Sequence, residues 1–496
     1  MKRKIKYLIT SIMLLFMTLS HVNAEQKSIL VEGNGDEYGN YPLLLDDGSF
    51  LVVGQYKSTD IVGLENKGDY DGYIVKYDKH GNKLWMNSFG GSDYDDFTSV
   101  VETTDKGYLV VGEVCSSDIN NITLVGDCDA IVIKYDKNGS VVWQKTYGSQ
   151  YEDYFTTIQK ANDETYIVGG KYKSKGTILK IAENGDIKLE KEITTYPEVF
   201  FITTNPNGGY IIGDYTQSSI VRVFDEDFNF KWSTTNSNTN LNYIYVNDAV
   251  VDKKGNIIII GTHANSEGRK AYISKYDANG NLQWEKEYGS IKETFNAIKL
   301  DENGNYKVVG GKKVNTDNIQ LSEAIIVTYD TEGNILHDES YSHEKGAWFY
   351  GMDYVSDEAY VYVGSSFENE TSFADDILIV YNTSAYIYNI ISKTEGKGSL
   401  EVVSNAGAGE KITFNIIPEK GFVLKEVRVT DANGKVVTFT NNTFTMPSAD
   451  VTIEVIFIED KKNPETTDVA VIACIAIIVL GGIGTMYSIN KLSWLK

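Results

Sequence analysis

Two short segments alternate along most of this chain, and such repetition constrains the fold more than any other feature of the sequence. The first is an apolar run, a D-x-x-G turn and a second run that carries Trp and ends near Tyr/Phe-Gly. Its clearest copies are YIVKYDKHGNKLWMNSFGG from Tyr73, AIVIKYDKNGSVVWQKTYGS from Ala130 and YISKYDANGNLQWEKEYGS from Tyr272, with weaker ones from Thr177, Ile220 and Ile325. The turn glycines are Gly81, Gly139, Gly185, Gly280 and Gly333, with Phe228 in place of one. The Trp column reads Trp85, Trp143, Leu189, Trp232, Trp284 and His337. The second segment is a turn followed by an apolar run with a glycine inside it, as in DKGYLVVGEV and KGNIIIIGTH. Its glycines are Gly54, Gly112, Gly169, Gly213, Gly261, Gly310 and Gly364.

D-x-x-G between runs rich in Val, Ile, Tyr and Trp reads as a hairpin: Asp accepts from turn amides and Gly takes a positive φ. A glycine inside a strand marks the close approach of another backbone. Each unit therefore supplies four short antiparallel strands, a to d, and radial repetition of such units makes a β-propeller. The glycine column predicts seven blades over about residues 26–382, with six or eight as alternatives. The seventh unit has a strand c, DILIVYN from Asp376, without a strand d. The missing strand appears at the other end as SILVEGNG from Ser28, so the first strand is expected to close the ring.

At these residues the chain resembles the bacterial SBBP-type β-propeller repeats, carried by GGSDYDDFTSVVETTDKGYLVVGEV and the D-x-x-G…W hairpin that follows. Its Asp…Gly…Trp spacing is also similar to the tryptophan-docking repeat of quinoprotein propellers. The resemblance implies a fold and an extracellular setting but no catalytic residues. A bound quinone is not expected, because there is no vicinal cysteine pair and no His-rich site.

The two ends carry different signals. Lys2, Arg3, Lys4 and Lys6, the apolar stretch Tyr7–Leu19 and Val22-Asn23-Ala24 read as a signal peptide over 1–24. The propeller would occupy 25–383. Residues 384–460 change character, with an Asn433-Gly434 turn and the ending TFTMPSADVTIEVIF. They resemble the divergent internalin-type B-repeat of Gram-positive surface proteins, which implies a β stalk or adhesive module. A polar linker follows at 461–468. Its NPETTD is similar to a sortase sorting signal, with Pro464 and Thr466 matching and Asn463 and Thr467 departing. Residues 469–489 are uncharged and apolar, so a transmembrane helix is expected there, with 490–496 as a cytoplasmic tail. The expected fold class is thus all-β: a seven-bladed propeller, a small β module and one C-terminal transmembrane helix. The expected place is the outer face of the cell membrane or the cell wall.

The net charge is −23, which argues against nucleic acid and anionic lipid headgroups as partners. Of three cysteines, Cys115 and Cys128 are expected to pair outside the cell. Five scattered histidines offer no metal-ligand spacing, and no hydrolase, P-loop or zinc motif is present. No cofactor is expected beyond possible Ca²⁺. The loops joining strand d to the next strand a are long, acidic and aromatic. They nominate Asp36, Glu37, Tyr38, Asp93, Tyr94, Asp95, Asp96, Tyr151, Glu152, Asp153 and Tyr154 as ligand-binding residues. The functional expectation is a monomeric, surface-displayed adhesion or ligand-binding protein that meets a protein or glycan and is not an enzyme. An extracellular hydrolase acting on glycans and a structural envelope protein are the alternatives.

Overall fold

The computed structural model describes residues 26–460, except 195–197, 215–219, 235–242, 266–267, 291, 317–318 and 368–375. Residues 27–382 form seven four-stranded antiparallel sheets. Blade 1 shows the pattern: strand a Glu37–Leu44, b Phe50–Tyr56, c Asp71–Tyr77 and d Lys83–Phe89. Blades 2 to 6 follow at 95–147, 154–194, 199–233, 243–288 and 293–341. Blade 7 takes Trp348–Ser356, Ala359–Ser366 and Asp376–Asn382 as strands a to c, and Lys27–Glu32 as its strand d. That last pairing runs from Lys27 opposite Tyr381 to Glu32 opposite Asp376, so the first strand closes the ring.

Seven hydrophobic clusters fill the spaces between consecutive blades. The last joins blade 7 to blade 1 through Val361, Val363 and Ile379 against Phe50, Val52 and Tyr73. Each central strand is buried on both faces, which is why strands b and c read as continuous apolar runs. This closed series of interfaces is what makes the ring a propeller.

Two glycine positions carry the geometry. In blade 1 the turn is D-x-x-G-N: the Asp78 carboxylate accepts from the amides of His80 and Asn82, at 2.8 Å each, and from the Asn82 side chain. Gly81 then sits at φ +86°. The Trp of one blade covers the turn glycine of the next. A methyl group added to Gly139 would lie 2.7 Å from Trp85, and one on Gly280 2.8 Å from Trp232. Where the column reads Leu189, the following turn carries Phe228, buried and stacked on Tyr210 at a centroid distance of 4.6 Å. Where it reads His337, the following blade has no c–d turn to cover, because its strand d comes from the N-terminal end.

The strand glycines face a bulge in strand a. A methyl group on Gly54 would come within 1.9 Å of the Tyr38 carbonyl oxygen, and one on Gly261 within 1.8 Å of that of Tyr245. In blade 3 this place belongs to Gly170, 2.2 Å from the Tyr154 carbonyl oxygen on the same test, rather than to Gly169. In blade 4 it belongs to Asp214, one residue beyond Gly213.

Residues 384–460 form the separate β module. Ile387–Glu395 runs parallel to Val451–Glu459, which pairs antiparallel with Phe422–Asp431. Val451, Ile453, Val455 and Phe457 alternate into its core. The module rests on the face of the ring that carries the a–b and c–d turns. Lys79 donates to the Ala408 carbonyl at 3.1 Å, Glu410 meets His80 at 2.9 Å and Lys79 at 3.2 Å, and Tyr386 lies against Gly48.

The expectation of a chain ending in a transmembrane helix is corrected. Among the described residues no helix is long and apolar enough to cross a membrane, and the only helix is the single turn Ser384–Tyr386. Length and hydropathy establish what a run is able to cross, not that it is helical; the described backbone is satisfied by strands. Residues 469–489 lie outside the described residues, as do the signal peptide, the NPETTD segment with Asn463, Pro464, Thr466 and Thr467, and the tail.

Candidate functional site

The channel at the centre of the ring is lined by the strand a bulges, and in five blades the side chain of the bulge residue ties its blade to the next. Asn40 donates to the Phe97 carbonyl at 2.9 Å and Thr98 to that of Phe155 at 2.7 Å. Thr156 reaches the Val199 carbonyl at 2.5 Å, while Asn247 and Asn296 reach those of Phe295 and Phe349 at 2.7 Å each. These bonds run in one sense around the ring. Two positions before each bulge residue stands a residue at the channel mouth: Tyr38, Asp96, Tyr154, Glu198, Tyr245, Thr294 and Trp348. The d–a and b–c loops surround this mouth, on the face opposite the module.

The acids nominated from the loops divide into two kinds. Glu37, Asp95 and Asp153 are fully buried and fasten the d–a loop to the end of strand b. Glu37 accepts from the amide and hydroxyl of Ser58. Asp95 accepts from the amides of Gly91, Cys115 and Ser116 and from the Ser116 hydroxyl, at 2.6–3.2 Å. Asp153 accepts from the amides of Ser149 and Lys173 at 2.5 and 2.6 Å. Burial pushes Glu37 up to about 7 and raises Asp95 and Asp153. These acids hold the loops and are closed to a ligand.

The others stay at the mouth. Tyr350, Tyr38, Tyr70 and Tyr94 form a chain of ring contacts at 5.8–6.5 Å from blade 7 to blade 2. Asp36 accepts from the Tyr70 hydroxyl at 2.9 Å, and Tyr94 donates to Gln55 at 2.6 Å. Asp96 accepts from the Glu113 amide at 3.0 Å. Burial lifts Asp96 to about 7; burial and the neighbouring Asp96 lift Glu113 to about 8. Glu152 pairs with Lys171 at 2.6 Å, and Lys171 sits over the Tyr154 ring. Asp93 accepts from the Tyr94 amide, and Tyr151 is exposed.

Asp93, Asp95 and Asp96 do not converge on a common point, each being turned to a different partner, so they make no Ca²⁺ cage. Among the described residues one group of acid and sulfur ligands lies within metal-binding reach, Glu113 with Cys115 and Cys128. Those cysteines are joined to each other in a disulfide, which leaves no thiolate for a metal.

Sequence reasoning missed the other half of the mouth. Between blades 5, 6 and 7 lies a cleft of about 700 Å³, lined by Tyr245, Asn247, Thr262, Arg269, Thr294 and Trp348, together with Lys292, Glu293 and Lys313. The Arg269 guanidinium lies 5.6 Å from the Tyr245 ring centre. The mouth is therefore acidic and tyrosine-rich over blades 1 to 3 and cationic over blades 5 to 7. The available signal was departure from the repeat: Trp348 stands where other blades have Tyr, Asp, Glu or Thr.

Residues 388–461 match the family described as Divergent InlB B-repeat domain. The regulatory protein FlaEY of Caulobacter vibrioides is 31% identical over 143 residues, 26% of this chain. The match spans only 14% of that protein's length. Among solved structures, an inactive virginiamycin B lyase from Staphylococcus aureus with quinupristin aligns at 12% identity, over 72% of this chain and 99% of that one, with a TM-score of 0.47. The Dos1 propeller aligns at 11% identity over 72% and 94%, with a TM-score of 0.45.

Proposed function

We propose that this protein is a surface-displayed ligand-binding or adhesion protein that presents an SBBP-type propeller on a B-repeat spacer, with its ligand at the channel mouth. The cleft between blades 5 and 7 carries this reading. It is concave, it combines two aromatic side chains with hydroxyls, an amide and three cations, and it lies on the face the module leaves free. The B-repeat match supports display outside the cell, the setting of the surface proteins that this module resembles. A screen of the full chain against glycans and cell-envelope fractions tests the reading. Binding should fall with Trp348→Ala and survive Asp46→Asn with Asp47→Asn on the opposite face. Binding that only the Asp46 and Asp47 changes abolish would refute it.

A second reading, a hydrolase acting on glycans, is favoured by one observation. Asp96 and Glu113 are neighbouring carboxyls at the mouth, both held well above the ordinary range, as a general acid must be. Glycosidase activity abolished by Glu113→Gln would establish it.

A further inference from the structure

The cationic half of the mouth has a specific construction. Arg269 is the second residue of strand c of blade 5, Gly268–Tyr276, while Lys292 belongs to the d–a loop and Lys313 to strand b of blade 6. The Lys292 amide donates to the Arg269 carbonyl at 2.6 Å, and the Lys313 amide to the Lys292 carbonyl at 3.3 Å. Main-chain bonds thus hold three basic residues from three segments in succession. Nearby lysines have carboxylate partners: Lys312 meets Glu323 at 3.1 Å and Lys270 meets Glu287 at 3.0 Å. Among the described residues no carboxylate lies within ion-pair distance of Arg269, Lys292 or Lys313, although the chain carries a net charge of −23. Like charges gathered without a counter-charge repel, and an anion relieves that repulsion. Glu293, the acid in the lining, is buried, accepts from the Ser290 hydroxyl at 3.4 Å and lies beyond ion-pair distance of all three basic residues, and burial raises its pKa.

The rest of the lining restricts what anion fits. The Trp348 ring lies against Gly311, where a methyl group would come within 2.2 Å of it, so the indole is seated on the strand. Thr262 and Thr294 hydroxyls are 2.5 Å apart, and Asn247 reaches Thr294 at 3.2 Å. Aromatic faces beside a hydroxyl and amide cluster suit a pyranose, apolar on its faces and polar at its rim. A long polyanion crossing the mouth would meet Asp36, Asp93, Asp96 and Glu152 of blades 1 to 3, which a short sugar avoids. We propose that this cleft binds a short anionic saccharide, its ring against Trp348 and Tyr245 and its carboxylate, sulfate or phosphate on Arg269, Lys292 and Lys313. This rests on the channel mouth being the ligand site.

The test is calorimetric titration of the full chain with short oligogalacturonates, their neutral methyl esters, a sulfated oligosaccharide, a phosphorylated oligosaccharide and inorganic polyphosphate. At least one charged saccharide should bind, and which one identifies the anion. The matched neutral sugar should bind roughly tenfold or more weakly, and added salt should weaken the charged one. Arg269→Gln with Lys313→Gln should remove the preference for charge, and Trp348→Ala should reduce binding of both forms. Lys57, which pairs with Asp69 at 2.5 Å and lies over the Tyr70 ring on the acidic half, serves as control: Lys57→Gln should change neither. Equal binding of charged and neutral sugars overturns the inference, as does polyphosphate binding without any saccharide. A sugar bound through the acidic half, insensitive to the Arg269 and Lys313 changes, also overturns it while leaving the wider reading in place. No binding by any of these probes overturns it too, and the envelope screen then decides whether the mouth binds anything.

Discussion

Exchanging Leu189 for Trp and Phe228 for Gly, singly and together, tests whether the blades are fitted to one another through one repeated contact. Trp85, Trp143, Trp232 and Trp284 each lie against the turn glycine of the following blade. Leu189 packs instead against the cluster that contains Phe228. Phe228 is 1% exposed and holds φ +57°. Its replacement by Gly removes a buried ring, worth about 3–5 kcal/mol, and relieves a left-handed backbone, worth about 1–2 kcal/mol. A net loss of about 1–4 kcal/mol is expected. Leu189→Trp alone forces an indole toward a filled site and should cost about 1–3 kcal/mol. Together the two changes recreate the Trp-over-Gly contact of the other blades. The double variant should therefore be more stable than the sum of the single effects by about 2 kcal/mol. Urea unfolding followed by Trp fluorescence gives the midpoints and slopes. Additivity within about 0.5 kcal/mol would show that the two departures arose independently and that the contact is not the unit of blade fitting.

Stability should fall as pH rises from about 5 to 8. Buried Glu37, near 7 in the fold against 4.5 for an ordinary Glu, keeps a proton that the unfolded chain gives up. Glu37→Gln should flatten that fall by about 2 kcal/mol, read from urea midpoints across the range; an unchanged slope would count against burial as the cause. Removing residues 26–32 should lower the melting temperature and promote self-association, since strand Asp376–Asn382 becomes an open edge; an unchanged melt with a monomeric sedimentation profile would refute the closure. Asp95→Asn should destabilise by about 2–4 kcal/mol, because it leaves buried donors poorly matched, whereas Asp93→Asn should stay within about 0.5 kcal/mol. Equal effects of these two changes in thermal melts would mean that burial does not separate them.

The ring was legible because its devices recur. Asp, turn Gly and Trp each answer a local geometric need, and those needs repeat with every blade. The strand glycine was placed less well. Gly169 and Gly170 are adjacent, and periodicity alone does not tell which faces the bulge; blade 4 ends strand b at Asp214 and leaves Gly213 one step early. The same recurrence misled the reading of the site. Glu37, Asp95 and Asp153 drew attention as acids in loops, yet they occupy one equivalent position in three consecutive blades. A residue that returns at one place in successive units serves those units. Their burial depends on Ser58, Ser116 and Lys173 at the far ends of other loops, a distance in sequence that no local pattern reports.

The division of labour between the two faces follows from the same repeat. On the turn face every c–d hairpin has its positive-φ residue, and all but that of blade 3, where Ala182 takes the place, are also held by a turn Asp, so little there is free to vary. That face also receives the module, through Lys79, His80 and Gly48. On the other face the repeat requires little beyond the bulge carbonyl, to which blades 1, 2, 3 and 6 add a buried acid. The side chain of the mouth residue is not needed to close a blade, which is why it is Tyr, Asp, Glu, Thr or Trp in different blades. A recognition site is most readily built where the fold demands least, and Trp348, Arg269, Lys292 and Lys313 all stand there. Their proximity is a property of the closed ring, since blades 5, 6 and 7 supply one wall each.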